Sequence, residues 1–493
     1  MIVQTDAGKV AGVLCKGAHV FWGIPYAAPA NGNRRFKPPA PPLPWSGIKD
    51  CRHVGTIAPQ NVGAQSSNTT LVQSEDCLHL NVWTSGSDKE LKPVLVFIHG
   101  GGFISGSGAD SDGSRYVVED GLVYVSINYR LGVLGFLHLE DILGEEYMTS
   151  GNNGMLDIVF ALEWVQRNIS AFGGDPERVT VSGASAGAKC TASLYVMEAA
   201  QGLFCRAIAQ SGATQAIRDR STANVTTLRI LEKLGLSSDP GRLLKLPFEQ
   251  LIEAQSAVGC GTSRSLHMFG PVADGRIIPL KPLSKLANRE KMPPMLIGTN
   301  EDESTIFIHN DIELQSPNPV TLERFFGRNA STIWAAYLCY SETMSDADAW
   351  RTILTEHLYT VGAIQFANAL ASSGTPVWMY RLRSGGVLGA THGYESSLIH
   401  LANSSHPVPV HLTNDPHTIP TEQYELARNM RKSWLTYIRH GNPNSDALPV
   451  WPTYNNECST MVLDKVSYVQ ENMPQPEGIG VHHQVWRILD ADD

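Results

Sequence analysis

The run Val179-Thr180-Val181-Ser182 reads as a β-strand, and the Ala-rich stretch ending at about Glu198 reads as a helix. Only Gly183-Ala184-Ser185-Ala186-Gly187 separates them. A chain that turns from strand to helix in five residues crowds its own backbone. Glycine on either side of the turn relieves that crowding because it carries no Cβ. The serine between them is held out at the end of the strand. The first amides of the following helix favour negative charge beside it. Taken alone, the pentapeptide fits a nucleophile turn and an ordinary βα turn equally well.

A second motif separates these readings. His99-Gly100-Gly101-Gly102-Phe103 follows the apolar run Val94-Leu95-Val96-Phe97-Ile98. Acyl transfer needs N–H donors aimed at an oxyanion. A glycine-rich loop supplies them because no side chain blocks its backbone. In this arrangement the donors are one or two glycine amides plus the amide after the serine, here Gly101, Gly102 and Ala186. Read without the serine motif, the same glycines form a flexible turn after a buried strand.

Apolar, β-branched runs at 94–98, 122–127, 179–182 and 295–297 alternate with helical segments such as 155–168. Continuous apolar strands between helices predict an α/β chain with a large, mainly parallel sheet covered on both faces. Such sheets bind ligands beyond the carboxyl ends of their strands, where both motifs fall. The stretches 213–290 and 310–372 read as helical insertions around that end. The 493 residues would suit about three domains by length alone, yet no linker, repeat or low-complexity tract marks a boundary.

A formal net charge of −10 argues against a nucleic-acid surface, and against an anionic membrane as partner. No run is long enough to span a bilayer. Met1 to Gly8 has neither the basic nor the apolar part of a signal peptide, so a cytoplasmic location is expected unless a leader has been removed. The eight cysteines form no C-x-x-C pair, and neither metal nor cofactor is expected. The expected partner is a small-molecule substrate.

A serine nucleophile needs a histidine base, and the base needs an orienting carboxylate. In chain order the acid precedes the histidine. Glu301, Asp302 and Glu303 follow the strand-like Met295 to Asn300, and the residues alone do not choose among them. His392 follows the strand-like Val377 to Arg381 and leads His400, His406 and His411 only by that placement.

Together these motifs resemble the type-B carboxylesterase/lipase family of α/β-hydrolases, nearly end to end. The likeness runs through Phe21-Trp22-Gly23-Ile24-Pro25-Tyr26-Ala27, Arg35-Phe36, Glu75-Asp76-Cys77-Leu78-His79-Leu80-Asn81 and Asn128-Tyr129-Arg130. It continues through Phe172-Gly173-Gly174-Asp175-Pro176, the serine turn, Gln210-Ser211-Gly212, Pro271-Val272-Ala273-Asp274-Gly275 and Gly441-Asn442-Pro443-Asn444. The resemblance implies the α/β-hydrolase fold as one catalytic domain over 1–493. It implies a serine carboxylesterase with Ser185 as nucleophile, Glu303 as acid and His392 as base. Gly101, Gly102 and Ala186 then form the oxyanion hole, and His99 braces its loop.

Three departures from the family pattern stand out. Ala184 occupies a position that is usually Glu, which removes a carboxylate beside the acyl centre and alters its network with Glu395. Cys77 matches a family disulfide cysteine, but the usual partner position reads Ala58, with Cys51 the nearby alternative. That departure points to reduced thiols. The segment 61–74 has no aromatic residue to face a cation, so neutral esters are expected over choline esters. Three other functions use the same framework. One is acyl transfer or lactone formation, one a non-hydrolytic cyclase, and one a non-catalytic binding module, which the presence of Ser185, Glu303 and His392 argues against.

Overall fold

The computed structural model describes residues 1–61, 71–86, 90–259, 268–290, 292–316, 318–326, 330–401, 421–455 and 457–473. The chain groups into two compact units, one of residues 1–206 and 216–280, the other of residues 207–215 and 281–493.

In the first unit, six strands belong to the main sheet: β1 (Val13–Cys15), β2 (Ala18–Pro25), β3 (His79–Thr84), β4 (Lys92–Ile98), β5 (Val123–Ile127) and β6 (Gly174–Ala184). They lie in the order β1-β2-β3-β5-β4-β6. The pairs up to β3–β5 are antiparallel, whereas β4 pairs in parallel with both β5 and β6. The central runs of the parallel strands are largely apolar because both of their faces are covered: Val94, Val96, Ile98, Val123, Val125, Ile127, Val179 and Val181 have no exposed surface. Each such side chain contributes about 1.5–3 kcal/mol relative to exposure. The helix α1 (Asn153–Asn168) buries Ile158, Leu162 and Val165 at the spacing expected of one helical face, and Trp164 is buried off that stripe.

Two buried ion pairs fix the sequence motifs of this unit. The Arg130 guanidinium donates from Nε and Nη2 to the two oxygens of Asp157 at 2.7 and 2.6 Å, with both residues almost wholly buried. Arg35 donates through Nε and Nη2 to Glu75 and through Nη1 to the carbonyl of Leu246. Removing one partner of such a pair strands a buried charge, at a cost of about 3–5 kcal/mol.

The second unit carries β7 (Arg206–Gln210, from residue 207), β8 (Met295–Asn300), β9 (Val377–Leu382), β10 (Thr460–Leu463) and β11 (Tyr468–Gln470). These strands run in that order, parallel from β7 to β10 and antiparallel at β11. In register, Asn300 at the end of β8 lies beside Leu382 at the end of β9. The stretch 310–372 is helical as expected, with α2 (Pro319–Phe326), α3 (Ala330–Ser341), α4 (Asp346–Thr355) and α5 (Val361–Ser372). Between α4 and α5, Glu356–Thr360 winds as a π-turn.

Seven cysteines lie among the described residues, and all are free thiols. Cys51 and Cys77 are both buried and unlinked. Burial pushes the Cys51 thiol up to about 11 and raises those of Cys77 and Cys190 further. Among the described residues no helix is long and apolar enough to cross a membrane.

Candidate active site

In the first unit the site is made by backbone. Ser185 closes β6 with φ 58° and ψ −123°, a conformation that L-residues rarely adopt. The glycines beside it are dictated by contact. A Cβ on Gly187 would come within 2.0 Å of the Ile98 carbonyl oxygen, and one on Gly183 within 2.3 Å of the Gly187 backbone. The parallel register explains both, because Ile98 pairs with Gly183 and the turn must cross the end of β4. Ala186 is the first residue of the helix Ala186–Leu194, so its N–H has no intrahelical acceptor.

The glycine loop lies against the same serine. A Cβ on Gly100 would meet the Ala184 carbonyl oxygen at 2.8 Å and the Ser185 Cβ at 3.1 Å. Gly101 and Gly102 both hold positive φ, at 104° and 62°. A side chain on Gly101 would strike the Ser105 carbonyl oxygen at 2.1 Å. His99 is buried and braces this loop. Its ring stacks on Tyr129 with centroids 4.5 Å apart, and its Nδ1 lies 2.8 Å from the Gly100 carbonyl oxygen. Burial holds its basicity below the ordinary histidine range. Gln60 fastens the far side of the loop, donating to the Gly106 carbonyl at 3.0 Å and accepting from the Gly106 N–H at 2.8 Å.

In the second unit the site is made by side chains. The loop after β8 is laced to the loop after β9. The Asp302 N–H donates to the Ala390 carbonyl, the Ala390 N–H donates back to the Asp302 carboxylate, and the His392 N–H donates to the Glu303 carbonyl. The three acidic residues that the residue pattern leaves open have different partners. Glu301 takes Arg381 at 2.5 Å, and Asp302 takes Arg351 at 3.3 Å. Glu303, wholly buried, accepts from the Asn300 N–H at 2.9 Å and lies 2.6 Å from His392 Nδ1. That contact places the proton on Nδ1 and leaves the Nε2 lone pair outward. His400 is the penultimate residue of the helix Tyr394–Leu401, and His406 and His411 lie outside the described residues.

A second carboxyl group sits behind the first. Glu395 is wholly buried, accepts from Ser211 Oγ at 2.8 Å and accepts from the Asn300 amide. Burial and the nearby Glu303 carboxylate push it up to about 7. Ser211 has a positive φ of 57°, close to that of Ser185. Tyr359, from the π-turn, is not legible in the sequence. Its hydroxyl lies 3.5 Å from His392 Nε2 and its ring 4.4 Å from the imidazole centroid. The sequence reads 310–372 only as helical, and a π-turn inside such a stretch carries no composition of its own.

Among the described residues one group of potential metal ligands is found, His138, Glu140 and Asp141 of the first unit. Its carboxylates already carry arginine. Arg276 reaches Glu140 at 2.7 Å, and Arg220 reaches Glu140 and Asp141. The segment 61–74, on which the expectation about cations rests, falls mainly outside the described residues.

A profile of the carboxylesterase family matches residues 1–475. The chain is 34% identical to a para-nitrobenzyl esterase of Bacillus subtilis over 97% of each chain. It is 31% identical to a pyrethroid hydrolase of Rattus norvegicus, covering 94% of this chain and 86% of that one. Among solved structures, a carboxylesterase of Geobacillus stearothermophilus superposes with a TM-score of 0.83 at 34% identity, over 98% of this chain and 99% of that one.

Proposed function

The chain belongs to the carboxylesterase family, with the α/β-hydrolase fold, and is a carboxylic ester hydrolase; from that premise we propose that it works as a serine esterase through an acyl-enzyme. The reading treats residues 1–493 as one catalytic domain. The observation that carries it is the pairing of His392 with Glu303 rather than with either neighbouring acid. Ser185 attacks the ester carbonyl, and His392 Nε2 takes its proton. Glu303 holds the imidazole in that tautomer and stabilises the imidazolium. The amides of Gly101, Gly102 and Ala186 receive the oxyanion. His392 then protonates the leaving alcohol, and water repeats the sequence to release the acid.

The substrates are small neutral esters. Two features of the sequence support this. Residues 61–74 offer no aromatic face to a quaternary ammonium group, and Ala184 offers no carboxylate beside the nucleophile. The names of the two relatives, a para-nitrobenzyl esterase and a pyrethroid hydrolase, are consistent with small-molecule substrates.

A fluorophosphonate probe tests the assignment. It should label Ser185 once per chain, with labelling lost in Ser185→Ala and strongly slowed in His392→Ala. Labelling at another residue, or full activity in His392→Ala, would refute these roles.

A further inference from the structure

Three aromatic rings meet in the second unit. The imidazole of His392 lies 4.4 Å from the Tyr359 ring at an interplanar angle of 30°, and 5.3 Å from the Phe307 ring. Phe307 and Tyr359 are nearly parallel, with centroids 6.3 Å apart. Glu303 engages one nitrogen of the imidazole, and the Tyr359 hydroxyl lies within hydrogen-bond reach of the other. Tyr359 is buried, at 4% exposure, and its hydroxyl is therefore held in place rather than free in solvent.

The backbone is built to deliver this side chain. Tyr359 sits within the π-turn Glu356–Thr360, and single π-turns in helices gather at functional sites because they redirect one side chain. The same helical segment is tied to the loop bearing Glu303. The Ser304 N–H and Oγ engage Thr355 Oγ1 at 3.2 and 3.0 Å, and Ser304 Oγ donates to the Arg351 carbonyl at 2.8 Å. One cross-braced segment thus holds both the acid and the tyrosine against the histidine.

We propose that Tyr359 is a positioning residue for His392, its ring fixing the plane of the imidazole and its hydroxyl donating to Nε2 until the nucleophile's proton arrives. The proposal rests on His392 being the base. A phenol suits this task because it donates to the neutral ring but yields readily, the 3.5 Å contact being long for an O–H···N bond. It also stays protonated. Burial and then the charges of Glu303 and Glu395 raise Tyr359 well above the ordinary phenol range. The charged and titratable groups facing the pair are Glu303 from the loop after β8, Glu395 from the start of the helix Tyr394–Leu401, and Tyr380 from β9, which is raised by the same two carboxylates. Asp302, one residue from Glu303, is directed to Arg351 and the Ala390 amide.

A donor to Nε2 stabilises the neutral imidazole, so its removal should make the ring easier to protonate. In Tyr359→Phe the acid limb of kcat/KM should move to higher pH by about half a unit, the effect of one hydrogen bond of modest strength. In Tyr359→Leu, which loses the stack as well, plateau kcat should fall by roughly tenfold, with little change in KM. Fluorophosphonate labelling should slow in parallel. An acid limb that stays in place, or moves to lower pH, in folded Tyr359→Phe would overturn the proposal even if Tyr359→Leu fails to fold. The two readings separate in His392→Ala. If that variant is inactive and the limb of Tyr359→Phe is unmoved, Tyr359 alone loses its role; if it is fully active, the base assignment falls and Tyr359 with it.

Discussion

The two units hold their candidate catalytic groups by different means. Around Ser185 the structure is set by backbone: a positive φ at the serine, glycines that admit no Cβ, and amides at a helix start. Around His392 it is set by side chains, with two buried carboxyl groups, an amide, a hydroxyl and a stacked phenol in contact. Backbone geometry is specified locally and tolerates almost no substitution. A side-chain cluster is assembled from distant segments, and each member can be altered in chemistry without altering the fold. The contrast predicts that small changes in the first unit damage folding, whereas isosteric changes in the second damage turnover.

The largest expected effect is at Ser185, the proposed nucleophile. Ser185→Ala should lower kcat by about 10⁴- to 10⁶-fold while the thermal midpoint stays close to that of the parent. Residual turnover within tenfold of the parent would break the assignment. Next comes Glu303→Gln, which should cost about 10³- to 10⁴-fold in kcat with the fold retained. Glu301→Gln and Asp302→Asn, whose partners are arginines, should each cost far less. If either proves as damaging as Glu303→Gln, the pairing with His392 does not identify the acid.

Gly187→Ala tests the other side of the contrast. The added methyl group meets a carbonyl oxygen at 2.0 Å, fixed by sheet register, so the backbone itself must shift. Overpacking of this kind should cost about 3 kcal/mol or more, read as a lower denaturation midpoint. A normally stable Gly187→Ala would mean that the turn is softer than the geometry indicates.

A smaller effect is expected from Glu395. Its carboxyl group is raised to about 7, from 4.5 in an unfolded chain, so between those values the folded protein holds a proton that the unfolded chain has released. Stability therefore falls as pH rises across that window and levels off above it. Glu395→Gln lacks the titration. Relative to the parent, it should gain about 2 kcal/mol or more between pH 5 and pH 8 in denaturant melts. An unchanged gap would show that Glu395 titrates normally. The smallest expected effect concerns substrate charge. A choline ester and its uncharged carbon isostere should differ in kcat/KM by less than about tenfold, or 1.4 kcal/mol. A larger preference for the cation would place an aromatic face at the site from some other segment.

Much of the first unit is legible because its determinants are contiguous. Val94 to Gly102 and Val179 to Gly187 each hold the apolar part of a strand and the turn it feeds, and the strand at 123–127 falls where the apolar run predicts, as does that at 295–300 in the second unit. In the second unit the sequence offers three acids in a row and several histidines. Choosing Glu303 and His392 requires the family resemblance, because their pairing depends on how the loops after β8 and β9 are laced. Ser211 stands out only as part of a matching motif, and its bond to Glu395 spans 184 positions. Tyr359 gives no signal, since a buried aromatic in a helical stretch looks the same whether it packs against core or against a base. The bridge pattern is legible in part. The Ala58 departure points to reduced thiols, and Cys51 and Cys77 are unlinked.

Those buried thiols bear on how the protein dies when heated. While folded, Cys51, Cys77 and Cys190 are protonated and shielded, so oxidants and alkylating agents meet little thiolate at these positions. Unfolding returns them to ordinary acidity and to solvent in a single event. From then on two chains can join through a disulfide, dissolved oxygen taking up the two electrons and two protons that the thiol pair gives up, and inactivation becomes a rate rather than an equilibrium. Lifetime at elevated temperature should accordingly lengthen with added reductant and shorten with protein concentration.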